Sequence, residues 1–488
     1  MIEESVKIHD RYSIEIKLGF NARRKSAVSD FAVNTWLFIP NSLDINPLTY
    51  EKKDFYRDVR SNIRLITPVY LLRDIAGEQN TPFVLLQKSF ENLASHPSRT
   101  HTAEFEYQIK MFLSILKSAL RDDLAFLSVV ENHKDKKDLI AEYLETVHTI
   151  TSRFRSLRKI INVSTIKKSW FEYFQFGDEF MSNLVEQYLF KLVENIETCK
   201  EKEFSGLRKK VIQIIQQETA YRREKGYPVV EKKDPHHNRE LILRLGSLKK
   251  FAENELFLTT NKKRDGVLVE QIYYSIAAGL SMVFATAIAF SFQMRYGNFT
   301  IPFFVALVVS YMLKDRIKEL GRYYFAHRLG KRYFDHKTRI SLKDIRIGWS
   351  KEAMDYIPEG KVPPEVVKIR NRIPILQANN RWLSERIILY RKLIRIYRPR
   401  LDEAISYSTT GIHDIIRLNI SSFVTKMDDP GFPLYRLDED DSLKTLKGER
   451  AYFLNLVMQF KYEDQIFYRR YRIVLNREGI LDIEKYQS

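Results

Sequence analysis

The sequence predicts an α+β, multidomain membrane protein, and three patterns support that fold class. Two long uncharged stretches in mid-chain indicate a transmembrane helical hairpin, a proline-free region before them indicates a helical bundle, and alternating apolar residues towards both ends indicate strands. With 44% hydrophobic and 29% charged residues, the 488-residue chain is neither disordered nor built only of membrane spans. The predicted regions are a small β-containing N-terminal region (1–95), a helical bundle (98–227), a charged connector (228–265), the hairpin (267–313), a basic membrane-apposed helical segment (314–400) and a β-rich C-terminal domain (401–488).

The N-terminal region begins with a strand pattern. Apolar residues alternate with other residues at Ile14, Ile16, Leu18 and Phe20, which is the period of a strand with one solvated face. A second, more apolar run at 31–39 follows a polar turn. We expect these two segments to pair as antiparallel neighbours.

The predicted bundle region contains no proline and little glycine. No proline occurs between Pro97 and Pro228, and glycine is rare there, which favours long helices. Apolar residues recur at helical spacing in two series, Phe105, Ile109, Phe112, Leu116 and Ala119, and Phe180, Leu184, Tyr188, Leu192 and Ile196. Polar breaks divide the region into about four helices of about 20–35 residues, which would pack as an up-and-down bundle.

The predicted hairpin consists of two apolar runs. Residues 271–294 contain no charged side chain, and neither do residues 296–313. As helices these runs would be about 36 Å and about 27 Å long, against a bilayer hydrocarbon core of about 30 Å. Only a few residues around Arg295 remain for the turn, so the two helices must be antiparallel neighbours.

Basic residues flank the hairpin at both outer ends. They are Lys262, Lys263 and Arg264 before it and Lys314, Arg316, Lys318 and Arg322 after it. The positive-inside rule then predicts a multi-pass protein of the cell membrane with both termini in the cytoplasm. The acidic first residues lead into no apolar run, so we expect no secretory signal peptide.

Small residues recur at every fourth position of the first span. Ala277, Ser281, Ala285 and Ala289 predict a helix-packing ridge on which another helix can approach closely. The partner is either the second helix of the same chain or a second copy in an oligomer. The first interpretation is favoured because this spacing is common in membrane helices generally.

The net charge of +18 is concentrated after the hairpin, where residues 314–400 carry +14. Apolar residues recur there at helical spacing, at Leu383, Ile387, Tyr390, Ile394 and Tyr397. A basic residue near an anionic leaflet contributes about 1 kcal/mol, so a lipid bilayer with anionic headgroups is the expected partner. The predicted lipid-binding residues are Lys314, Arg316, Lys318, Arg322, Arg328, Lys331, Arg332, Arg391, Arg395 and Arg398. Nucleic acid would be attracted by the same charge and is the less favoured partner.

The last part of the chain changes its period. Apolar residues alternate with polar or smaller ones at 416–420, 454–460 and 467–475. This pattern predicts an antiparallel meander that forms a small sheet or sandwich.

No chemical motif stands out. The sequence contains no phosphate-binding glycine loop, zinc-protease motif or nucleophile elbow, so we predict no catalytic residue, no metal and no cofactor. The single cysteine, Cys199, excludes an intrachain disulfide. Weak metal-site candidates are His9-Asp10, His236-His237, His413-Asp414, Asp428-Asp429 and the acidic run Asp438–Asp441. For each of them a solvated loop or a chance dipeptide is the favoured interpretation, because metal sites need more ligands at defined spacing.

These observations favour a non-enzymatic, membrane-anchored interaction or signalling protein with large cytoplasmic domains, with a protein partner or a second copy as further candidate partners. Two alternatives stay open. The first is an oligomeric pore or membrane-permeabilising effector that assembles through the small-residue ridge. The second is a membrane-tethered enzyme that acts on a phosphate-bearing or lipid substrate attracted by the basic segment.

Overall fold

The computed structural model describes residues 2–22, 26–75, 77, 81–163, 167–198, 204–324, 333–370, 385–440 and 442–486. It is 53% helix and 30% strand, so the predicted α+β class is confirmed at that level. The chain forms two compact units, named here the sheet unit and the helical unit. The sheet unit comprises Met1–Ile63, Thr259–Ala404 and Gly411–Ser488, and the helical unit comprises Arg64–Leu258 and Ile405–Thr410.

The strands of the described residues lie in three sheets. In chain order they are β1 (Ile2–Asp10), β2 (Ser13–Asn21), β3 (Val28–Pro40), β4 (Val59–Leu65), β5 (Thr259–Arg264), β6 (His336–Leu342), β7 (Ile345–Ile357), β8 (Glu385–Tyr397), β9 (Gly411–Asn419), β10 (Gly431–Leu437), β11 (Leu443–Glu449), β12 (Tyr452–Tyr462), β13 (Gln465–Asn476) and β14 (Gly479–Tyr486). The large sheet has the order β14-β13-β12-β3-β8-β7-β6-β5, a second sheet has the order β1-β2-β9-β4, and β10 pairs with β11. Neighbouring strands of the large sheet are antiparallel.

The helices are α1 (Lys52–Asp58), α2 (Leu72–Ile75), α3 (Pro82–Ser95), α4 (Arg99–Val129), α5 (His133–Ser156), α6 (Arg158–Ile161), α7 (Lys168–Thr198), α8 (Ser205–Glu224), α9 (Pro235–Glu253), α10 (Val267–Tyr296), α11 (Ile301–Tyr324), α12 (Pro364–Arg370), α13 (Arg398–Ala404) and α14 (Ser421–Val424). Four of them, α4, α5, α7 and α8, are the long helices that the proline-free region predicts, with 31, 24, 31 and 20 residues. Both predicted apolar series on these helices are buried. Stacked rings join them, with centroids 5.6 Å apart for Phe112 and Phe154 and 5.4 Å apart for Phe154 and Phe174.

The predicted charged connector, residues 228–265, forms regular structure over most of its length. Residues 235–253 form α9, which packs against α4 and α7 in the helical unit, and residues 259–264 form β5. Pro235 occupies the first turn of this helix, where the missing N–H of proline would have no intrahelical acceptor in any case. The Asp234 side chain caps that helix by accepting 3.0 Å hydrogen bonds from the backbone N–H groups of His236 and His237.

The first two predicted strands form but do not pair with each other. β2 lies between β1 and β9, whereas β3 lies between β12 and β8. The predicted antiparallel pair is therefore wrong. The second half of β3, from Trp36 to Ile39, is buried on both faces, so it needs a central position in a sheet. Its two partner strands come from the C-terminal part of the chain.

The C-terminal strands form as the alternation predicts, but the predicted small sheet of their own is wrong. β9 lies in the second sheet beside β2, whereas β12, β13 and β14 extend the large sheet from β3, and all of them belong to the same compact unit as the N-terminal strands. A shared core explains this arrangement. Trp36, Phe38, Val366, Ile387 and Val457 pack into one buried cluster, so β3, α12, β8 and β12 need each other to exclude water.

The helix predicted near residue 390 is wrong, because residues 385–397 form strand β8. Residues 336–342 and 345–357 are also strands, and the helical part of the basic segment ends with α11 at Tyr324. The alternation of β8 is hard to read because Lys392 occupies a buried position between Tyr390 and Ile394. A charged residue at a core position removes the period-2 signal that identifies a strand. Leu383 lies outside the described residues.

The α10–α11 hairpin forms, and its two helices pack against each other. Among the described residues, α10 is the helix that is long and apolar enough to cross a membrane. The second predicted span, 296–313, is not confirmed, because residues 296–300 end α10 and form the turn. The apolar stretch 301–313 that remains at the start of α11 extends only about 20 Å.

Candidate functional site

The hairpin lies in the chain between β5 and β6, two neighbouring strands at the edge of the large sheet. Two residues separate the end of β5 from the start of α10. β6, which follows α11, pairs with β5 from Arg264 opposite His336 to Thr259 opposite Ser341. Gly266 makes the connection to α10 with a φ of 75°, and a Cβ there would lie 2.9 Å from the Tyr333 ring. Only glycine combines this left-handed backbone with so close an approach.

Side chains from three strands form a cationic row at this edge. Lys263, Lys337 and Lys351 lie directly opposite one another on β5, β6 and β7, so their side chains project from the same face of the sheet. Together with Arg339 and Arg346 they line a cleft of about 550 Å³ beside Val267 and Leu268, the first residues of α10. We name this feature the basic cleft.

Most cations of the basic cleft lack an acidic partner. Lys351 lies 2.8 Å from Asp265, whereas Lys263, Lys337, Arg339 and Arg346 have none within 4 Å among the described residues. The Nε–H group of Arg346 is buried and also has no hydrogen-bond acceptor in the described part of the chain. Like charges directly opposite each other on a sheet destabilise it, so the row is costly unless an anion neutralises it.

An aromatic ring lies within the same charged face. Trp349 is half-buried on β7, and the cationic groups of Lys337, Lys351 and Arg395 lie 5.7, 5.7 and 5.3 Å from its ring centroid. An indole surrounded by cations is suited to the boundary between apolar chains and charged headgroups. The basic cleft can therefore bind an anion, with phosphate matching its Lys and Arg donors.

A neighbouring cleft of about 690 Å³ shares Lys263 with the basic cleft and contains titratable groups. Burial, with the nearby Asp335 carboxylate, raises the pKa of Tyr56, whose hydroxyl donates to Asp335 at 2.9 Å. Burial, reinforced by the charge of Lys262, lowers the pKa of His336 below its ordinary value of 6.5. The imidazole is therefore neutral at pH 7, although its Nδ1 lies 3.8 Å from Glu352.

Beneath these clefts lies a buried network of charges. Lys392 pairs with Asp414, and both side chains are almost completely buried. Lys262 pairs with Glu352, and the Tyr390 hydroxyl donates to Glu352 at 2.7 Å. Although burial opposes its ionisation, Lys392 and Lys262 lower the pKa of Glu352. These contacts join β7 to β8 beneath the cationic row.

The structure separates the predicted lipid-binding residues into three groups. Lys314, Arg316, Lys318 and Arg322 lie on α11, within the hairpin. Arg328, Lys331 and Arg332 lie outside the described residues.

Arg391, Arg395 and Arg398 line no common helix face, since the first two lie on β8 and the third begins α13. Each of these arginines has an acidic partner. Arg391 lies 2.8 Å from Asp355, Arg395 binds Asp30 through two contacts of 2.6 and 2.7 Å, and Arg398 lies 2.7 Å from Asp402.

The helix-packing ridge faces the second helix of the hairpin. Ser281 is buried, and Ala277, Ala285 and Ala289 are partly buried, whereas large apolar side chains on the other faces of α10 are exposed. A Cβ on Gly321 of α11 would lie 2.7 Å from the Cβ of Ala277, so the two backbones approach closely there.

The weak metal-site candidates form no cluster, since no group of three or more His, Cys, Asp or Glu side chains able to hold a metal occurs in the part of the chain that the structure describes. Several acids of the C-terminal loops pair with cations instead. Asp428 lies 2.6 Å from Arg450, Asp429 contacts Arg477 at 2.5 Å, and Asp438 pairs with Lys444. Asp414 belongs to the buried pair described above. Cys199 and Asp441 lie outside the described residues.

Sequence reasoning missed most of the basic cleft. Lys263 was visible as a basic flank of the hairpin, but Lys337, Arg339, Arg346 and Lys351 were not distinguished from the general excess of charge. The missing signal is strand pairing, because the whole hairpin separates β5 from β6 in the chain and the two strands become neighbours only in the sheet.

Comparison of this chain with protein-family models, with curated proteins and with solved structures finds no match.

Proposed function

We propose that this protein is a membrane-anchored interaction module, held in a bilayer by the α10–α11 hairpin, whose basic cleft binds phosphate-bearing anionic headgroups. The observation that carries the proposal is the position of the cleft. It opens beside the first turn of α10, where a headgroup layer would surround an inserted hairpin.

The exposed surface of the hairpin supports insertion. Only 6% of the most apolar stretch of α10 is buried, and Leu280, Val283 and Phe290 are each at least 60% exposed. An apolar surface of this extent needs a cover, because exposed apolar area costs about 25 cal/mol per Å² in water. Lipid chains provide that cover.

The connection of the hairpin supports a single-sided arrangement. Its two ends join β5 and β6, which are paired, so the chain would leave and re-enter the sheet unit on the same side of the bilayer. The basic flanks favour the cytoplasmic side by the positive-inside rule.

The charge of the cleft supports an anionic partner. Each unpaired cation near an anionic surface contributes about 1 kcal/mol, so four of them provide roughly 4 kcal/mol, enough to separate anionic from zwitterionic lipid. Nucleic acid offers the same phosphate chemistry but no reason for the site to lie at an apolar hairpin.

The test measures headgroup binding by the full chain in an uncharged detergent. We expect dihexanoyl phosphatidylglycerol to bind at least about tenfold more tightly than dihexanoyl phosphatidylcholine, since about 1.4 kcal/mol corresponds to tenfold. The double variant Arg339→Glu/Arg346→Glu should abolish this preference. The matched control Lys209→Glu/Lys210→Glu makes the same charge change on exposed residues of α8 and should retain it.

The other outcomes of this titration have defined meanings. Equal binding of sn-glycerol 3-phosphate would indicate a soluble phosphate ligand, and tighter binding of a single-stranded oligonucleotide would replace lipid by nucleic acid. Loss of preference in the α8 control would show that net charge, rather than the cleft, is responsible. Release of a hydrolysed headgroup during the titration would favour the enzyme hypothesis.

A second measurement tests the single-sided topology. Single cysteines at Ser5 and Ser442, introduced after Cys199→Ser removes the native one, should react with a membrane-impermeant maleimide from the same side of intact vesicles. Labelling from opposite sides would mean that only α10 crosses, and the hairpin anchor would be rejected.

The pore hypothesis gains no support from the ridge, which faces α11.

A further inference from the structure

We infer that the α10–α11 hairpin fits a hydrocarbon core about 20 Å thick on its α11 side, so that its lipid partner is a thin or locally thinned bilayer. This inference rests on the proposed membrane insertion of the hairpin. It follows from the register in which the two helices pack.

Two contacts between α10 and α11, at the end of the hairpin far from its turn, fix that register. A Cβ on Gly321 would lie 2.7 Å from the Cβ of Ala277, and the guanidinium of Arg322 lies 5.5 Å from the ring centroid of Tyr274. Residues 277 and 321 therefore lie at the same height along the two antiparallel helices.

The charged residues of α11 begin closer to the hairpin turn than Gly321. Lys314 lies two helical turns nearer the hairpin turn than Gly321, which is about 10 Å along the helix axis, and Phe284 lies the same distance above Ala277. Lys314 is thus level with Phe284, in the middle of the uncharged part of α10. Asp315 and Arg316, which follow it, are exposed.

The two helices consequently present apolar lengths that differ. The uncharged part of α10, residues 271–294, extends about 36 Å, whereas the apolar part of α11, residues 301–313, extends about 20 Å. At the turn, Arg295 limits the apolar zone from the other end. The hairpin is therefore charged at both ends of a short apolar zone on its α11 side.

A bilayer of ordinary thickness, about 30 Å, cannot satisfy both ends at once. Full insertion would draw Lys314, Asp315 and Arg316 into hydrocarbon, and partial insertion would leave Arg295 there. Charged side chains in the hydrocarbon core are costly, whereas thinning the bilayer costs only a modest amount per ångström of mismatch. Thinning beside α11 lets the charges at both ends reach headgroups.

The test reconstitutes the full chain into vesicles of dimyristoleoyl, dioleoyl or dierucoyl phosphatidylcholine, in order of increasing thickness. The measured quantity is the fraction that stays with the vesicles after alkaline carbonate extraction. We expect this fraction to fall by about fivefold from the thinnest to the thickest bilayer, because the mismatch grows with chain length.

Two variants separate charge position from other effects. Lys314→Leu, Asp315→Leu, Arg316→Leu and Lys318→Leu together lengthen the apolar part of α11 and should make retention independent of thickness. Replacing the same residues by Gln, Asn, Gln and Gln removes the charges but keeps polarity, and should preserve part of the thickness dependence.

The outcomes separate this inference from the proposed function. Extraction of the protein from all three bilayers would reject the membrane anchor itself. Equal retention in all three would leave the anchor standing and overturn the inference about thickness, as would best retention in the thickest bilayer.

Discussion

The helical unit and the sheet unit treat charge differently. In the helical unit, Arg155 lies 3.2 Å from Asp178 and 2.7 Å from Glu218, and Arg244 lies 2.7 Å from Glu179, so these buried acids have nearby cationic partners. The sheet unit pairs its innermost charges in the same way. On its outer face, however, it keeps most cations of the basic cleft without acidic partners in the described residues.

This difference indicates where function lies. Paired buried charges hold elements in position, and their partners come from the same unit. Uncompensated cations in a row reduce stability, so their presence favours a ligand that completes the site. Substitutions of paired charges within each unit test whether these pairs stabilise the fold. The lipid titration tests whether the unpaired cations bind a ligand.

The largest effect is expected at the buried pair of the sheet unit. Lys392→Met leaves Asp414 without its cationic partner, with only the hydrogen bond from the Ser61 hydroxyl, and also removes a positive charge that stabilises ionised Glu352. The free energy of unfolding should fall by about 3–5 kcal/mol, measured by denaturant titration of the full chain in detergent. The double variant Lys392→Met/Asp414→Leu should recover most of this loss. A loss below about 1 kcal/mol in the single variant would contradict the structural role of the pair.

A smaller effect is expected in the helical unit, because Arg155 is more accessible to water than Lys392. Arg155→Met removes charged hydrogen bonds to Asp178 and Glu218 and should lower the free energy of unfolding by about 1.5–3 kcal/mol. The control is Arg208→Met, which breaks an exposed pair with Glu197 and should cost less than about 1 kcal/mol. Equal losses would show that burial does not distinguish the two pairs.

The connection between β5 and α10 provides a backbone test of the site. Gly266→Ala places a Cβ against Tyr333 and strains a left-handed residue, so stability should fall by about 1–3 kcal/mol, measured by the same titration. Gly246→Ala in α9, where no atom lies within 4 Å of the new Cβ, should instead raise stability by about 0.5–1 kcal/mol. Stabilisation by both variants would mean that Gly266 is not required.

The smallest effect concerns pH. The pKa of His336 is lowered in the folded protein, so the unfolded chain binds the proton more readily. The stability contributed by neutral His336 is therefore fully present above pH 6.5 and is lost as the pH falls through the lower folded value. In His336→Gln, the slope of unfolding free energy against pH should be shallower below pH 6.5.

Local regularity explains which elements could be predicted. The series from Phe105 to Ala119 lies on one helix, so its spacing alone predicts the buried face. Strand β2 has the same advantage, because Ile14, Ile16 and Leu18 alternate without interruption. β8 does not, since the buried Lys392 interrupts its apolar alternation. A charge of that kind needs an opposite charge in the core, and Asp414 provides it.

The basic cleft was less predictable than the elements that form it. The excess of positive charge after the apolar runs is plain in the composition, but the predicted Arg391, Arg395 and Arg398 have acidic partners in the fold. Lys337 and Arg346 differ from them only in lacking such partners among the described residues. Pairing between residues distant in the chain cannot be read from spacing.

By itself, the sequence determined the mixed α+β class, the long helices of the helical unit, the apolar character of α10 and the basic charge beside it, because each depends on residues close together in the chain. The tertiary structure alone decided that the N-terminal and C-terminal strands share one sheet, that the ridge of α10 faces α11, and that Lys263, Lys337 and Lys351 form a row. The physical reason is that strand pairing and charge compensation depend on residues far apart in sequence, whose meeting is selected by burial of the whole core.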